Sequence, residues 1–275
     1  MNLFEGGNAV KGERINLEDI PATLNWISLV TGLPLDILKK RLLGSVGKVQ
    51  QSGDIDIAVT QYEHDQAKKY LTAKKISFRE MPGIKVTSFG APIGGDRSKG
   101  HVQVDLMIGD PKTLSFGYHS PGDESKYKGV YRTAFLVAAT KAKSSFIYGS
   151  SNDLIARIGY TLLLDRGLVW QMRMRPIRKD GKGRLAGFKS VSQEELLRDP
   201  EIKSQLPGID WKPKQPITDP DAIASYIFPG AKAQDVTSYE KVKALVDRSK
   251  NNKYIWQLYR ERLSDMGLAT PDITK

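Results

Sequence analysis

The chain has no cysteine, only three histidines and no long apolar run, and each absence removes a class of chemistry. Without cysteine there are no disulfides, no thiolate zinc sites and no cysteine nucleophile. His64, His101 and His119 alone leave little room for an imidazole-based metal site. No run of about 18 apolar residues occurs, so no membrane-spanning helix is expected. The opening residues lack the basic start and apolar stretch of a secretory signal. With the missing cysteine, this makes the cytoplasm the expected compartment. Acidic residues are in deficit. Lys and Arg number 42 against 31 Asp and Glu, which gives +11 over 275 residues. That excess favours polyanionic partners such as nucleic acid, whose binding is driven by counterion release.

Within this basic chain, three carboxylates stand out because they sit in apolar surroundings. Asp54 and Asp56 lie one residue apart in Gly53-Asp-Ile-Asp-Ile-Ala-Val, a strand-like run. Side chains alternate along a strand, so the two acids share one face while Ile55 and Ile57 take the other. Asp105 lies in a second such run, His101-Val-Gln-Val-Asp-Leu-Met-Ile. Three acids converging on one sheet edge repel one another unless a cation lies between them. Mg²⁺ is the natural choice, because it takes carboxylate and phosphate oxygens together. The upstream Gly44-Ser45 turn suits a close approach of backbone N–H groups to a phosphate.

Apolar spacing predicts a helix over 17–31, with Asn16 as its N-cap, and a second from Leu35 to Leu43 leading into Gly44-Ser45. Strands are expected at Ile55–Thr60, Ile76–Glu80, Ile84–Phe89 and around Asp105, with a helix from Glu63 to Lys74 and a Gly-rich loop over 90–100. Helices are expected at Val130–Lys143 and Asn152–Leu164. Arg173, Arg175, Arg178, Lys179, Lys182 and Arg184 surround Asp180-Gly181, a hairpin-type turn. Further on, Ser192 with Glu195 and Thr237 with Glu240 have the spacing of capping boxes. Asp219-Pro220 reads as an N-cap and first helical residue, and a last helix runs from Lys253 to Met266. These elements give an α+β fold with an α/β-like core. A mixed-sheet domain over 1–145 is followed by a mainly helical region over 146–275.

The order of these motifs carries more information than any one of them. Leu43-Gly-Ser-Val-Gly-Lys48, then Ser52-Gly-Asp-Ile-Asp-Ile-Ala-Val59, then Val102-Gln-Val-Asp-Leu-Met107 resembles the DNA polymerase β-like nucleotidyltransferase superfamily. The resemblance covers about residues 17–135. It implies a palm-like domain in which Asp54, Asp56 and Asp105 hold two Mg²⁺ ions, with Mn²⁺ as a substitute. In such sites the ions lie roughly 3.5–4 Å apart, activate a hydroxyl and stabilise charge on the α-phosphate. It also implies that Gly44, Ser45 and Lys48 meet the phosphates of an NTP, ATP among them. A narrower similarity, to X-family polymerases, rests on Phe116-Gly-Tyr-His-Ser-Pro-Gly-Asp123 and the helix after it. It implies that Tyr118 stacks on sugar or base and that Arg132 contacts the nucleotide. Pro121 is extra in this pattern, His119 replaces an aromatic, and the expected Asn is missing. The stretch ahead of the first helix is too short for that family's usual lyase and helix-hairpin-helix modules.

The implied reaction transfers an NMP from an NTP to a hydroxyl and releases pyrophosphate. The net charge favours a nucleic-acid 3′ end, in RNA, tRNA or DNA, as acceptor. Basic residues in a hairpin make sequence-independent phosphate contacts, with Trp170 and Phe188 beside them as base-stacking candidates; a solvated charged turn with two core aromatics is the alternative. A protein acceptor, as in toxin-like members, and a non-catalytic nucleic-acid-binding protein with a decayed transferase fold are the alternatives. A cationic small-molecule acceptor fits a +11 chain poorly. His101 and His119 read as structural histidines, and Tyr254, Trp256 and Tyr259 as packing residues. The oligomeric state is left open.

Overall fold

A computed structural model describes residues 12–122, 125–148, 154–179, 184–190, 198, 200–205, 212 and 214–271. Within it, the side chains of 154–155, 173–179, 184–190 and 201–203 lie outside the description. The fold mixes helix and sheet, with a mixed four-stranded sheet in the first half. Among the described residues no helix is long and apolar enough to cross a membrane.

The short strand β1 (Ile15–Asn16) leads through a 3-10 turn into α1 (Ile20–Thr31). The α-helix therefore starts later than the apolar spacing suggested. Pro21 stands in its first turn, and Asn16 makes no cap. The Asn16 Oδ1 instead accepts a bond from Gln51 Nε2 at 3.1 Å, across the pairing of β1 with β2 (Gln51–Ser52). Gly32 ends α1 with φ +70°, a left-handed conformation that glycine takes without strain. The next helix, α2 (Leu35–Lys40), stops short of Leu43. Arg41 and Leu43 make backbone bonds with Ala58 and Asp56 instead, so edge pairing overrides helix propensity.

This edge belongs to β3 (Asp54–Val59), which leads into α3 (Gln61–Ala73). A capping box starts α3: Thr60 accepts from the Glu63 backbone while Glu63 accepts from Thr60. The antiparallel pair β4 (Phe78–Met81) and β5 (Val86–Pro92) follows, then two 3-10 turns over 93–99 where the Gly-rich loop was expected, then β6 (His101–Ile108). The sheet order is β3-β6-β5-β4, with β3 and β6 parallel and the other pairs antiparallel. One face buries Ile55, Ile57, Val102, Val104, Leu106 and Phe89 against α1 and α3. Each such side chain removed from water contributes roughly 1.5–3 kcal/mol.

The helix α4 (Pro111–Gly117) begins at Asp110, whose Oδ1 accepts from the Lys112 and Thr113 backbones at 2.9 Å. Then come α5 (Gly129–Lys141) and four antiparallel strands: β7 (Ser145–Tyr148), β8 (Leu154–Leu163), β9 (Gly167–Lys179) and β10 (Arg184–Ser190). This sheet corrects one expectation and adds to another. The segment expected as a helix over Asn152–Leu164 is strand β8 where it is described, and among the described residues the region after 145 joins a four-stranded sheet to its helices. β8 is flanked by β7 and β9, so it buries Ala156, Ile158, Tyr160 and Leu162 while Arg157 on its other face is also buried. Leu154, Ile158 and Leu162 also recur at helical spacing in this segment, so its apolar pattern does not separate strand from helix.

The later helices are α6 (Pro200–Gln205), α7 (Pro220–Ile227), α8 (Tyr239–Asp247) and α9 (Asn252–Asp265). Asp219 caps α7 as expected, its Oδ2 accepting from the Ala222 backbone at 2.8 Å. At α8 the cap is Ser238 rather than Thr237. The Ser192–Glu195 pair lies outside the described residues. α7, α8 and α9 pack with α5 and the second sheet around Phe135, Tyr239 and Tyr259. The α5 helix, on the first side of a boundary at 145, thus contributes to the second core. The Phe135 and Tyr259 rings stack there, which gives the C-terminal aromatics a packing role.

Candidate metal centre

Strand register brings the three acids together. In the parallel ladder Asp56 is opposite Asp105 and Asp54 is opposite Gln103; on the other side of β6, Ser88 of β5 is opposite Asp105. All five side chains therefore share the sheet face turned away from α1 and α3. Asp54, Asp56 and Asp105 each offer a carboxylate oxygen within 4.8 Å of the others. Further along the same face, Ala58, Met107 and Val86 join Leu43 and Leu114 in a small apolar cluster. The acids thus occupy the polar end of a face whose other end is dry.

The electrostatics follow from this crowding. Burial raises the Asp56 carboxyl well above the usual range, and the charges of Asp54 and Asp105 push it further. Burial also raises Asp54, opposed by Arg14. Asp105 is raised by burial and by Asp54, against the hydrogen bonds it accepts. Those bonds come from Ser88 Oγ at 2.5 Å and from Gln103 Nε2, which reaches both carboxylate oxygens at 3.1 and 3.0 Å. A trio of hard oxygen donors in this state fits a divalent cation, which removes the repulsion that burial strengthens.

Ser88, Gln103 and Arg14 were not singled out in the sequence. Gln103 had a readable signal, being a polar residue two positions before Asp105 in an apolar strand. Arg14 donates to the Gln51 side chain at 2.9 Å and to its backbone at 3.1 Å, and nothing local in the sequence marks its nearness to Asp54.

The remaining expected site residues divide. Gly44 is at the centre: its φ is +63°, and a Cβ there would lie 3.3 Å from Asp56 Oδ2. Its N–H, however, donates to Tyr118 O at 3.1 Å and so is committed within the protein. The Ser45 carbonyl accepts from the Lys48 backbone at 3.0 Å. Lys48 Nζ donates to Ser120 O at 3.0 Å, and burial lowers the ammonium's pKa. Tyr118 packs against the apolar cluster beside the acids; burial, Asp56 and Asp165 push its phenol up to about 12. Arg132 is buried and donates to the Val236 and Phe116 carbonyls, so its guanidinium has a structural anchor away from the acids.

The basic hairpin forms as expected where it is described. β9 and β10 pair antiparallel with Arg184 opposite Lys179, and Arg173, Arg175 and Arg178 are on β9. Asp180-Gly181 and Lys182 lie outside the described residues. Trp170 packs edge-on against Tyr160 and under Lys214 Nζ, so its ring is already engaged. His64 is buried, with Nε2 2.8 Å from Thr87 Oγ1, while His101 is exposed.

No family model matches this chain, and a search of curated proteins finds no match to it.

Proposed function

We propose that the protein is a metal-dependent nucleotidyltransferase that moves an NMP from an NTP to a hydroxyl acceptor. The observation that supports this reading best is the meeting of Asp54, Asp56 and Asp105 within 4.8 Å on one sheet face. In the reading, the three carboxylates hold Mg²⁺, or Mn²⁺ in its place. When bound, the metal would polarise the α-phosphate and favour the hydroxyl's ionised form. The protein's own contribution is positional. Gln103 and Ser88 fix the Asp105 carboxylate in one orientation, as outer-shell donors do in metal sites. Gly44 leaves open the space beside Asp56 that any side chain would narrow. Lys48 supplies positive charge next to the Ser45 turn.

Nucleic acid is the proposed acceptor, on the net charge of +11 and the run of Arg and Lys on β9 and β10. The cytoplasm is the proposed compartment, on the lack of cysteine. Retention of all three acids weighs against a decayed, non-catalytic protein.

Incubation with Mg²⁺, α-labelled NTPs and a mixed RNA and DNA pool tests the reading. Label should enter nucleic acid with the wild type and stay at background with Asp56→Asn or Asp105→Asn, both still folded by circular dichroism. Incorporation that survives both substitutions would sink the assignment. Label found on protein instead would move the acceptor to a polypeptide.

A further inference from the structure

Outside the acid cluster, positive charge gathers around a cavity. Arg132 is 1% exposed. Its Nε donates to Val236 O, its Nη1 donates to Phe116 O at 2.8 Å, and the guanidinium lies 5.0 Å from the Phe116 ring centre. Among the described residues, Nη2 has no hydrogen-bond partner and no carboxylate pairs with the guanidinium. Burial alone lowers its pKa to about 9. A buried charge without a countercharge is costly to keep, and an anionic ligand would offset that cost.

The space beside Arg132 suits such a ligand. A cavity of about 450 Å³ opens between α4, the Lys40–Arg41 edge and the segment before α8. Lys40, Arg41, Lys112, His119, Arg132 and Thr237 are among the residues that line it, and among the described residues none that lines it is acidic. Arg41 shares its charge with Glu63 at 2.5 Å, but Lys40 and Lys112 are exposed and have no carboxylate partner among the described residues. Lys241 Nζ, beside Thr237, donates to its Oγ1 at 2.8 Å. His119 is lowered to about 4 by burial and then by Arg132, Lys48 and Lys241, so it is a neutral imidazole in a positive field.

We propose that this cavity binds a small phosphate-bearing anion without a metal, at a site separate from the three acids. The lining supplies a guanidinium, ammonium groups, an imidazole and a hydroxyl, a donor set that matches phosphate oxygens. Its volume falls in the range of small-ligand pockets, roughly 300–1,000 Å³, so two linked phosphoryl groups fit. Asp54, Asp56 and Asp105 do not line it. The two sites are neighbours through one backbone contact: His119 pairs with Gly44, and Gly44 lies against Asp56.

Calorimetric titration with inorganic pyrophosphate in EDTA tests the proposal, because metal and NTP are both absent. Wild type should bind saturably, and Lys40→Glu with Lys112→Glu should weaken binding by at least about tenfold. Asp56→Asn should bind no more weakly than wild type, which separates this site from the acid cluster and from the transfer reaction. The imidazole resonances of His119 should shift with the same Kd, a readout that needs no substitution. No saturation by about 10 mM, an affinity indifferent to the double reversal, loss of binding in Asp56→Asn, or an unmoved His119 signal would each overturn it.

Discussion

The two four-stranded sheets carry opposite charge. The mixed sheet gathers three acids on one face, inside a protein that is strongly basic overall. The antiparallel sheet carries a run of Arg and Lys along β9 and into β10. Repulsion makes the first arrangement unfavourable by itself, and the chain still supports it with Ser88 and Gln103. The second arrangement costs little if its charges are solvated. A costly cluster with dedicated hydrogen-bond donors is therefore stronger evidence of a ligand than an inexpensive one. On this contrast, the chemistry proposed above belongs to the first sheet and the proposed contact with the acceptor to the second.

The contrast can be broken at either sheet. The largest effect is expected at the donor that orients Asp105. Gln103→Leu keeps the side-chain size but removes the bonds to both carboxylate oxygens, so Mn²⁺ affinity should fall about 10–100-fold. An unchanged affinity, measured by calorimetry, would reduce Gln103 to packing. At the second sheet, reversal of Arg175 and Arg178 to Glu should weaken oligonucleotide binding and lower its salt slope by about 2. Metal binding should not change in this variant. If oligonucleotide affinity and slope also stay the same, the hairpin is only a solvated turn.

The smallest effect concerns stability. The Asp56 carboxyl is raised in the folded protein, so between the ordinary carboxylate range and that raised value the native state binds more protons than the unfolded one. Stability is then lost as pH rises through this window. Asp56→Asn, which carries no charge, should be more stable than wild type at pH 7 in EDTA, by on the order of 1–3 kcal/mol. Mg²⁺ should reverse that ranking, because it stabilises only the protein with all three acids. Thermal melts with and without Mg²⁺ read both signs, and a variant less stable in EDTA would contradict the repulsion.

The same contrast explains how much was legible in the sequence. The alternation around Asp54 and Asp56 survives folding because β3 has one apolar face to bury, and Asp105 was readable for the same reason. The Asp219-Pro220 helix start is set by local chemistry and was also legible. β8 was not, because Leu154, Ile158 and Leu162 also fit helical spacing and compete with the alternation over Ala156 to Leu162. The end of α2 was missed because the competitor, pairing of Leu43 with Asp56, is remote in sequence. The partners of Arg132 were not legible either, because long-range packing brings its Nε to the Val236 carbonyl and its Nη1 to that of Phe116. Side-chain partners that depend on distant backbone, such as Ser88 on Asp105, emerge only once the register is known.

The central claim is that one face of the first sheet binds a divalent cation through Asp54, Asp56 and Asp105. Titration of Mn²⁺ into wild type, Asp56→Asn and Asp105→Asn, followed by the electron paramagnetic resonance of the free ion, tests it most directly. Saturable binding by wild type that both substitutions abolish is the predicted result. Equal binding by all three proteins would contradict it.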